Sequence, residues 1–179
     1  MRVQRFGEHR EMPWANGLGT SYEVASDRNV DGVWTWRVAI APVVLDGPFS
    51  VMPGVDRKLV VLEGNGMVLE VDGESVECLP SRVVRFSGDS MTFARLVDGP
   101  VVDLGLMTVR GSVTGSMIVV VDVGNVVESD LLVAIGDAVF EDENGKNYRL
   151  GSRDALLGVS GHQVALLGGM AVAIQVNSE

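Results

Sequence analysis

The chain has 179 residues, enough for one large domain or two small fused ones, and a compact form of that length buries roughly 70% of the surface its unfolded chain exposes. Twenty-four acidic side chains against fourteen basic ones give a formal net charge of −10; the basic residues are scattered singly or in pairs, so no electropositive stripe exists to track a phosphate backbone, and nucleic acid is not expected as a partner. The single cysteine, Cys78, excludes an internal disulfide and a Cys-rich metal site.

Met1 to Met12 contains no apolar h-region of the kind that opens a secretory leader. Pro13 to Glu23 follows, a segment in which glycines let backbone amides approach a ligand, Asn16 can both donate and accept, and Trp14 offers a flat apolar wall. It lacks the lysine of a phosphate loop; the alternative to a ligand site is a Gly-rich turn capped by Asn16. Short runs rich in Val, Leu and Ile then predict strands at residues 35–41, 58–63, 67–71, 75–79, 83–86, 91–97, 101–109 and 117–123. Turn chemistry separates them at Gly64-Asn65-Gly66, Asp72-Gly73, Gly88-Asp89, Asp98-Gly99-Pro100 and Gly124-Asn125. Two further strands are predicted at 130–140 and 164–176, with a hairpin turn at Asn144-Gly145 and a helical turn at 152–158. The rhythm is that of an all-β sandwich or barrel. The longest apolar run, 164–174, is interrupted by Gly168-Gly169 and falls far short of the ~20 residues needed to span a bilayer, so a soluble cytoplasmic protein without a membrane partner is expected.

Composition shifts near residue 110. All six prolines lie at or before Pro100, and of the aromatic residues only Phe140 and Tyr148 follow it, which suggests two lobes. The stretch Asp46–Gly66, DGPFSVMPGVDRKLVVLEGNG, is specified beyond what strands and turns require, and so marks a site or a family.

Strand parity supplies the candidate pocket. In WTWRVAIA, Trp34, Trp36, Val38 and Ile40 fall on one face and Thr35, Arg37, Ala39 and Ala41 on the other. The second face is either solvent-exposed or the wall of a cavity into which Arg37 projects. Arg57, Leu59, Val61 and Glu63 share a face in the same way, as do Asp103, Gly105 and Met107. Arginines, carboxylates and space left by glycine or alanine make a plausible pocket for a small acid.

These segments resemble the HutD/Ves family of bacterial proteins. The resemblance is carried by WANGLGTSYE at Trp14–Glu23, WTWRVAIAPVVLDGPFSVMPGVDRKLVVLEGNGMVLE at Trp34–Glu70, FSGD at Phe86–Asp89 and LVDGPVVDLGLMTVRG at Leu96–Gly111. It implies a cupin-type double-stranded β-helix (jelly roll) present twice, so that residues 1–179 form one bicupin. The first lobe is expected at 30–110 and the second at 111–179, with residues 1–29 packing on the second. It also implies a role near histidine utilisation, through binding of a formiminoglutamate- or urocanate-like acid, or in a stress response. The ligand roles it suggests fall on Asn16, Arg37 and Arg57, with Trp14, Glu23, Asp103 and Met107 as pocket wall. This chain departs from the family at Gly105, where the Asp-x-Asn-x-Met pattern places an asparagine.

Many cupins hold a metal through a His-x-His pair with a further Glu and His, because neutral imidazole suits first-row ions. Here His9 and His162 are far apart, and Arg57, Lys58 and Glu63 stand where the motif would lie. No metal and no cofactor are expected. Cys78 reads as a packed core thiol, and no catalytic residue is assigned. Two functions follow: a metal-independent binder of a small carboxylic acid, or a metal-free isomerase or lyase using a carboxylate as base. The valine-rich run at 118–123 and the C-terminal strand serve either as second-lobe core or as faces of a homodimer.

Overall fold

A computed structural model describes residues 1–14, 17 and 19–178. Apart from one 3-10 turn at Phe6–Glu8, every regular element among them is a strand. In chain order these are β1 (Arg2–Gln4), β2 (Arg10–Pro13), β3 (Thr20–Arg28), β4 (Trp34–Val43), β5 (Gly47–Pro48) and β6 (Val55–Glu63). Then come β7 (Met67–Val71), β8 (Glu74–Cys78), β9 (Val84–Ser87), β10 (Thr92–Leu96) and β11 (Val101–Val109). The remainder are β12 (Val113–Val120), β13 (Val126–Val127), β14 (Leu131–Asp142), β15 (Asn147–Leu150), β16 (Ala155–Leu157) and β17 (Val164–Ser178).

The strands sort into two compact units. The first is built on Arg10–Thr114 and holds a six-stranded sheet in the order β2-β3-β4-β11-β6-β9 and a four-stranded sheet in the order β5-β10-β7-β8. Alternation along the strands sends Leu59, Val61 and Val101 of the larger sheet against Met67, Leu69, Cys78 and Ala94 of the smaller one, and these form one buried cluster. On the opposite face of the larger sheet Val38, Ile40, Val60, Leu104 and Leu106 are also fully buried.

The second unit joins Met1–His9 to Gly115–Asn177. Its sheet runs β1-β16-β14-β17-β12, with β13 paired to β17 and β15 to β14. Its core is Leu132, Phe140, Leu156, Val159, Leu166 and their buried neighbours, with Met1 and Val3 packed against them.

Three expectations are corrected here. Residues 1–29 do not pack together on the second lobe. Arg2–Gln4 pairs with Ala155–Leu157, whereas β2 and β3 join β4 in the first unit, because the backbone groups of Thr20–Arg28 find their partners on Trp34–Ile40. The helical turn expected at 152–158 is a tight turn followed by β16, whose three residues are held between β1 and β14; pairing with distant strands overrides the local preference. Finally, Trp34 does not face away from Arg37. The β3–β4 register slips between Asp27/Arg28, leaving Thr35 as an extra residue, and beyond this bulge Trp34 packs beside Ala39 and Met107.

Turn glycines fix the first unit's strand order. Gly64 has φ +95, and a Cβ there would stand 2.5 Å from the Pro100 carbonyl oxygen and 3.0 Å from Val101 Cα, both backbone atoms that cannot yield. The adjoining Asn65 donates through Nδ2 to the Asp98 carbonyl at 3.2 Å, tying the Gly-Asn-Gly turn to the Asp-Gly-Pro turn before β11. Gly64→Ala is expected to cost about 3 kcal/mol in urea unfolding. Gly73→Ala, at φ +88 with open space around it, is expected to cost only about 1 kcal/mol. Equal losses would show that the turn is not clamped against β11.

Candidate functional site

β11 lies between β4 and β6, and its inward-facing residues build three rows on one face of the sheet. Met107 is flanked by Arg37 and Arg57, Gly105 by Ala39 and Leu59, and Asp103 by Ala41 and Val61. Small side chains in the middle row leave a hollow, a cavity of about 370 Å³ that these residues, Val61 apart, line with Met12, Trp14, Ser21 and Phe49. A Cβ on Gly105 would make only ordinary contacts, the nearest at 3.9 Å. Glycine is therefore not forced there by the backbone, and its effect is to keep the floor open between the arginine row and Asp103.

Arg57 sits between two aromatic rings, its Cζ 5.1 Å from the Phe49 centroid and 4.9 Å from that of Phe86. Its Nη1 donates to the Ser50 carbonyl at 3.2 Å. These partners come from DGPFS and FSGD, which accounts for the tight specification of those stretches. FSGD also holds the Pro53-Gly54 loop from outside: Asp89 Oδ1 accepts from the Gly54 amide at 3.0 Å, and Gly88 exchanges backbone bonds of 2.7 Å with Met52 and Val55. Arg110 bridges Asp56 at 2.7 Å and Asp89 at 3.1 Å on the exposed side.

Arg37 stacks over Trp34, 4.9 Å from the ring centroid. Among the described residues its terminal nitrogens meet only the sulfurs of Met12 at 3.8 Å and Met107 at 3.6 Å, and its Nε is buried without a partner. Thioether sulfur is a weak acceptor, so most of this donor capacity is unused. Burial holds both guanidinium groups below the ordinary arginine range, opposed by Glu23 for Arg37 and by Asp103 for Arg57. Among the described residues, no carboxylate lies within ion-pair distance of either.

Asp103 is 4% exposed, and no hydrogen bond reaches its carboxyl among the described residues. Burial drives that carboxyl up to about 7 against the pull of Arg57. Met107 is buried at the centre of the arginine row. Trp14 lines the cavity mouth, with its indole Nε1 donating to Ser21 Oγ at 2.7 Å and its ring so close to Gly19 that a Cβ there would sit 2.8 Å away. Glu23 shares the Ala39 row but does not line the cavity, because its carboxylate is held by Arg10 at 2.9 Å and by Ser26 Oγ at 3.2 Å. Asn16 lies outside the described residues. Phe49, Phe86 and Met12 are the site residues that sequence reading missed. Phe49 and Phe86 stood inside the conspicuous motifs, but nothing local ties either to Arg57.

A sequence profile of the HutD family matches residues 7–174. The chain belongs to the HutD family. It is 36% identical over 110 residues to an uncharacterised 21.2 kDa protein in the hutC 3′ region of Pseudomonas putida, covering 60% of this chain and 57% of that one. It is 35% identical over 106 residues to protein Ves of Citrobacter koseri, covering 56% of each. The chain thus spans a little over half the length of these curated relatives. Over nearly the whole chain it superimposes on the structure of HutD from Pseudomonas fluorescens SBW25, with TM-score 0.83, 28% identity and coverage of 99% and 98%. A cupin 2 conserved barrel protein from Leptotrichia buccalis shares the fold at TM-score 0.61 and 9% identity, covering 98% and 96%. The all-β jelly-roll reading therefore stands.

The residues of this HutD pocket do not fit the metal that many cupins carry. Among the described residues no three of His, Cys, Asp and Glu converge, and the cavity presents two arginines with one buried carboxyl, a set that repels a cation. Cys78 belongs to the hydrophobic core, where burial pushes its thiol up to about 12, so it stays protonated and unreactive. No helix among the described residues is long and apolar enough to cross a membrane.

The raised Asp103 carboxyl sets a pH dependence of stability. The unfolded chain releases this proton near pH ~3.9 and the folded chain near 7. Between those values the folded state binds more protons, so stability falls as pH rises through the window and levels off above it. Asp103→Asn removes the penalty. In urea unfolding the variant is expected to match wild type near pH 4 and to exceed it by on the order of 3 kcal/mol at pH 8. An equal difference at both pH values would mean that the carboxyl is not buried as described.

Proposed function

We propose that this HutD-family chain binds a small carboxylic acid, without a metal, in the cavity between Arg37, Arg57 and Asp103, and that it acts in the cytoplasm as a modulator of histidine utilisation. One observation carries the reading: two desolvated guanidinium groups face the same cavity with no carboxylate paired to either among the described residues. Leaving buried donors and charge unmet costs free energy that an incoming carboxylate recovers through charge-assisted, fork-like hydrogen bonds. Apolar walls from Ala39, Val43, Leu59 and Phe49 suit a short carbon skeleton. The pathway assignment is supported by the position of the Pseudomonas putida relative beside hutC. Formiminoglutamate- and urocanate-like acids are the first ligands to try.

One observation favours a second reading, a metal-free isomerase or lyase. A buried carboxyl with a pKa of about 7 inside a cavity is poised to take and return a proton near neutrality.

Thermal unfolding in the presence of urocanate, formiminoglutamate, succinate and butanoate tests both readings. A ligand at one hundred times its Kd adds about 2.7 kcal/mol of apparent stability. Arg37→Ala and Arg57→Ala are each expected to weaken binding at least about tenfold. No stabilisation by any acid, or equal stabilisation of both variants, would remove the carboxylate reading. Chemical change of the acid on incubation with the protein would select the enzyme over the binder.

A further inference from the structure

We propose that a polar hollow in the second unit binds a small organic ammonium ion, with Ser129 and Glu128 as the residues that recognise it. Every residue of this site belongs to Gly115–Asn177, so the proposal stands apart from the carboxylate reading of the first unit.

The hollow, of about 400 Å³, is built where three segments meet. Ser129 stands in the short link between β13 and β14, and both strands pair with β17, one at Val164–Ala165 and the other from Ile174 back along the strand. Asp130 fastens the remaining parts together. Its backbone amide donates to the Ile174 carbonyl at 2.8 Å, and its carbonyl accepts from the Val159 amide at 3.1 Å. Its carboxylate accepts from the Val176 amide at 2.6 Å and from Ser160 Oγ. The wall is thus set by the protein's own hydrogen bonds, and a ligand need not order it.

What this leaves open is one-sided in charge. Ser129 is 5% exposed, and its Oγ is buried with no partner among the described residues. Buried hydroxyls are seldom left so, and this residue lines the hollow. A water molecule would satisfy Ser129 but not the charge around it. Glu128 and Asp130 are both on the wall, no arginine or lysine lines it, and neither carboxylate has an ion-pair partner among the described residues. His162 lines it too, but its Nδ1 lies 2.9 Å from Glu143 Oε1, so a proton on His162 is answered within the protein.

The oxygen types decide which cation fits. Among the described residues no three of His, Cys, Asp and Glu converge, so a bare metal ion lacks its ligand set. An ammonium group has three N–H donors, which a hydroxyl, a carboxylate and the amide oxygens of Gln163 and Gln175 can share. No apolar side chain lines the hollow, so a short hydroxylated body suits it better than hydrocarbon. A carboxylate on the same molecule would meet Glu128 and Asp130, which turns amino acids away.

Titration of the 15N-labelled full chain, read by amide chemical shifts at pH 7.5 and constant ionic strength, tests the proposal. The probes are 2-aminoethanol, protonated at this pH; ethane-1,2-diol, which has its shape without the charge; and choline, which has the charge without N–H. 2-Aminoethanol is expected to move the amides of Ser129, Asp130, His162, Gln163 and Gln175 saturably, with a Kd of about 10 mM or below. It should bind about tenfold or more tightly than either control, the discrimination that one hydrogen bond to a charged group supplies. Glu128→Gln removes a charge from an exposed side chain and should weaken binding about tenfold. Ser129→Ala removes a hydroxyl that no protein group uses, so the fold should persist while binding weakens about fivefold or more. Absence of saturable shifts at these residues would overturn the proposal, as would equal binding of the diol or choline, or an unchanged Kd in either variant. Saturation by calcium chloride below the concentration that 2-aminoethanol requires would also overturn it, by making the site one for a metal.

Discussion

The antiparallel register of β11 between β4 and β6 is the constraint on which the site depends. It places Met107 directly between Arg37 and Arg57 and puts Asp103 two rows away on the same face. Burying two like charges this near one another is unfavourable unless something answers them. What answers them is diffuse: ring faces from Trp34, Phe49 and Phe86, sulfurs from Met12 and Met107, and one backbone carbonyl. Cation–π contacts contribute about 0.5–2 kcal/mol each and do not cancel a charge. The pocket therefore keeps a positive potential, and its size depends on whether Asp103 carries a proton.

Rigidity for this arrangement comes from outside the cavity. The bonds of Asp89 to Gly54, and of Arg110 to Asp56 and Asp89, lie on exposed surface, where single ion pairs add little stability. Their consequence is geometric, because they fix the loop that leads into Arg57. The backbone pairing of Gly88 with Met52 and Val55 has the same effect, and no side chain fits at Gly88, where a Cβ would stand 2.5 Å from the Met52 carbonyl oxygen. The charged groups at the rim thus hold the loop, while the buried ones face the ligand space.

How much of this could be read from the sequence follows from the range of the interactions. Alternation within a strand is local, so the faces bearing Arg37 with Ala39 and Ala41, Arg57 with Leu59 and Val61, and Asp103 with Gly105 and Met107 were legible before any fold was known. Which strands lie side by side is not local, and neither is a bulge. The slip at Thr35 turned Trp34 to the Arg37 side, and Phe49 and Phe86 reached Arg57 only through folding. Thr20–Arg28 went unread as a strand because its one fully buried residue, Val24, gives no alternation to see. Glu23 looked available by parity, but Arg10 had already claimed it.

The two units differ in the chemistry of their hollows. In the first, Ala39, Ala41 and Gly105 hollow out the face between the arginines and Asp103. In the second, Phe140, Leu132, Leu156, Val159 and Leu166 pack into one buried cluster. The polar hollow of the second lobe is lined by Glu128, Asp130, His162 and neighbouring Ser and Gln residues, without an arginine or lysine. An acidic anion has no counter-charge there. Both units keep a buried apolar core, and what sets the first apart is that its hollow is lined by desolvated guanidinium groups.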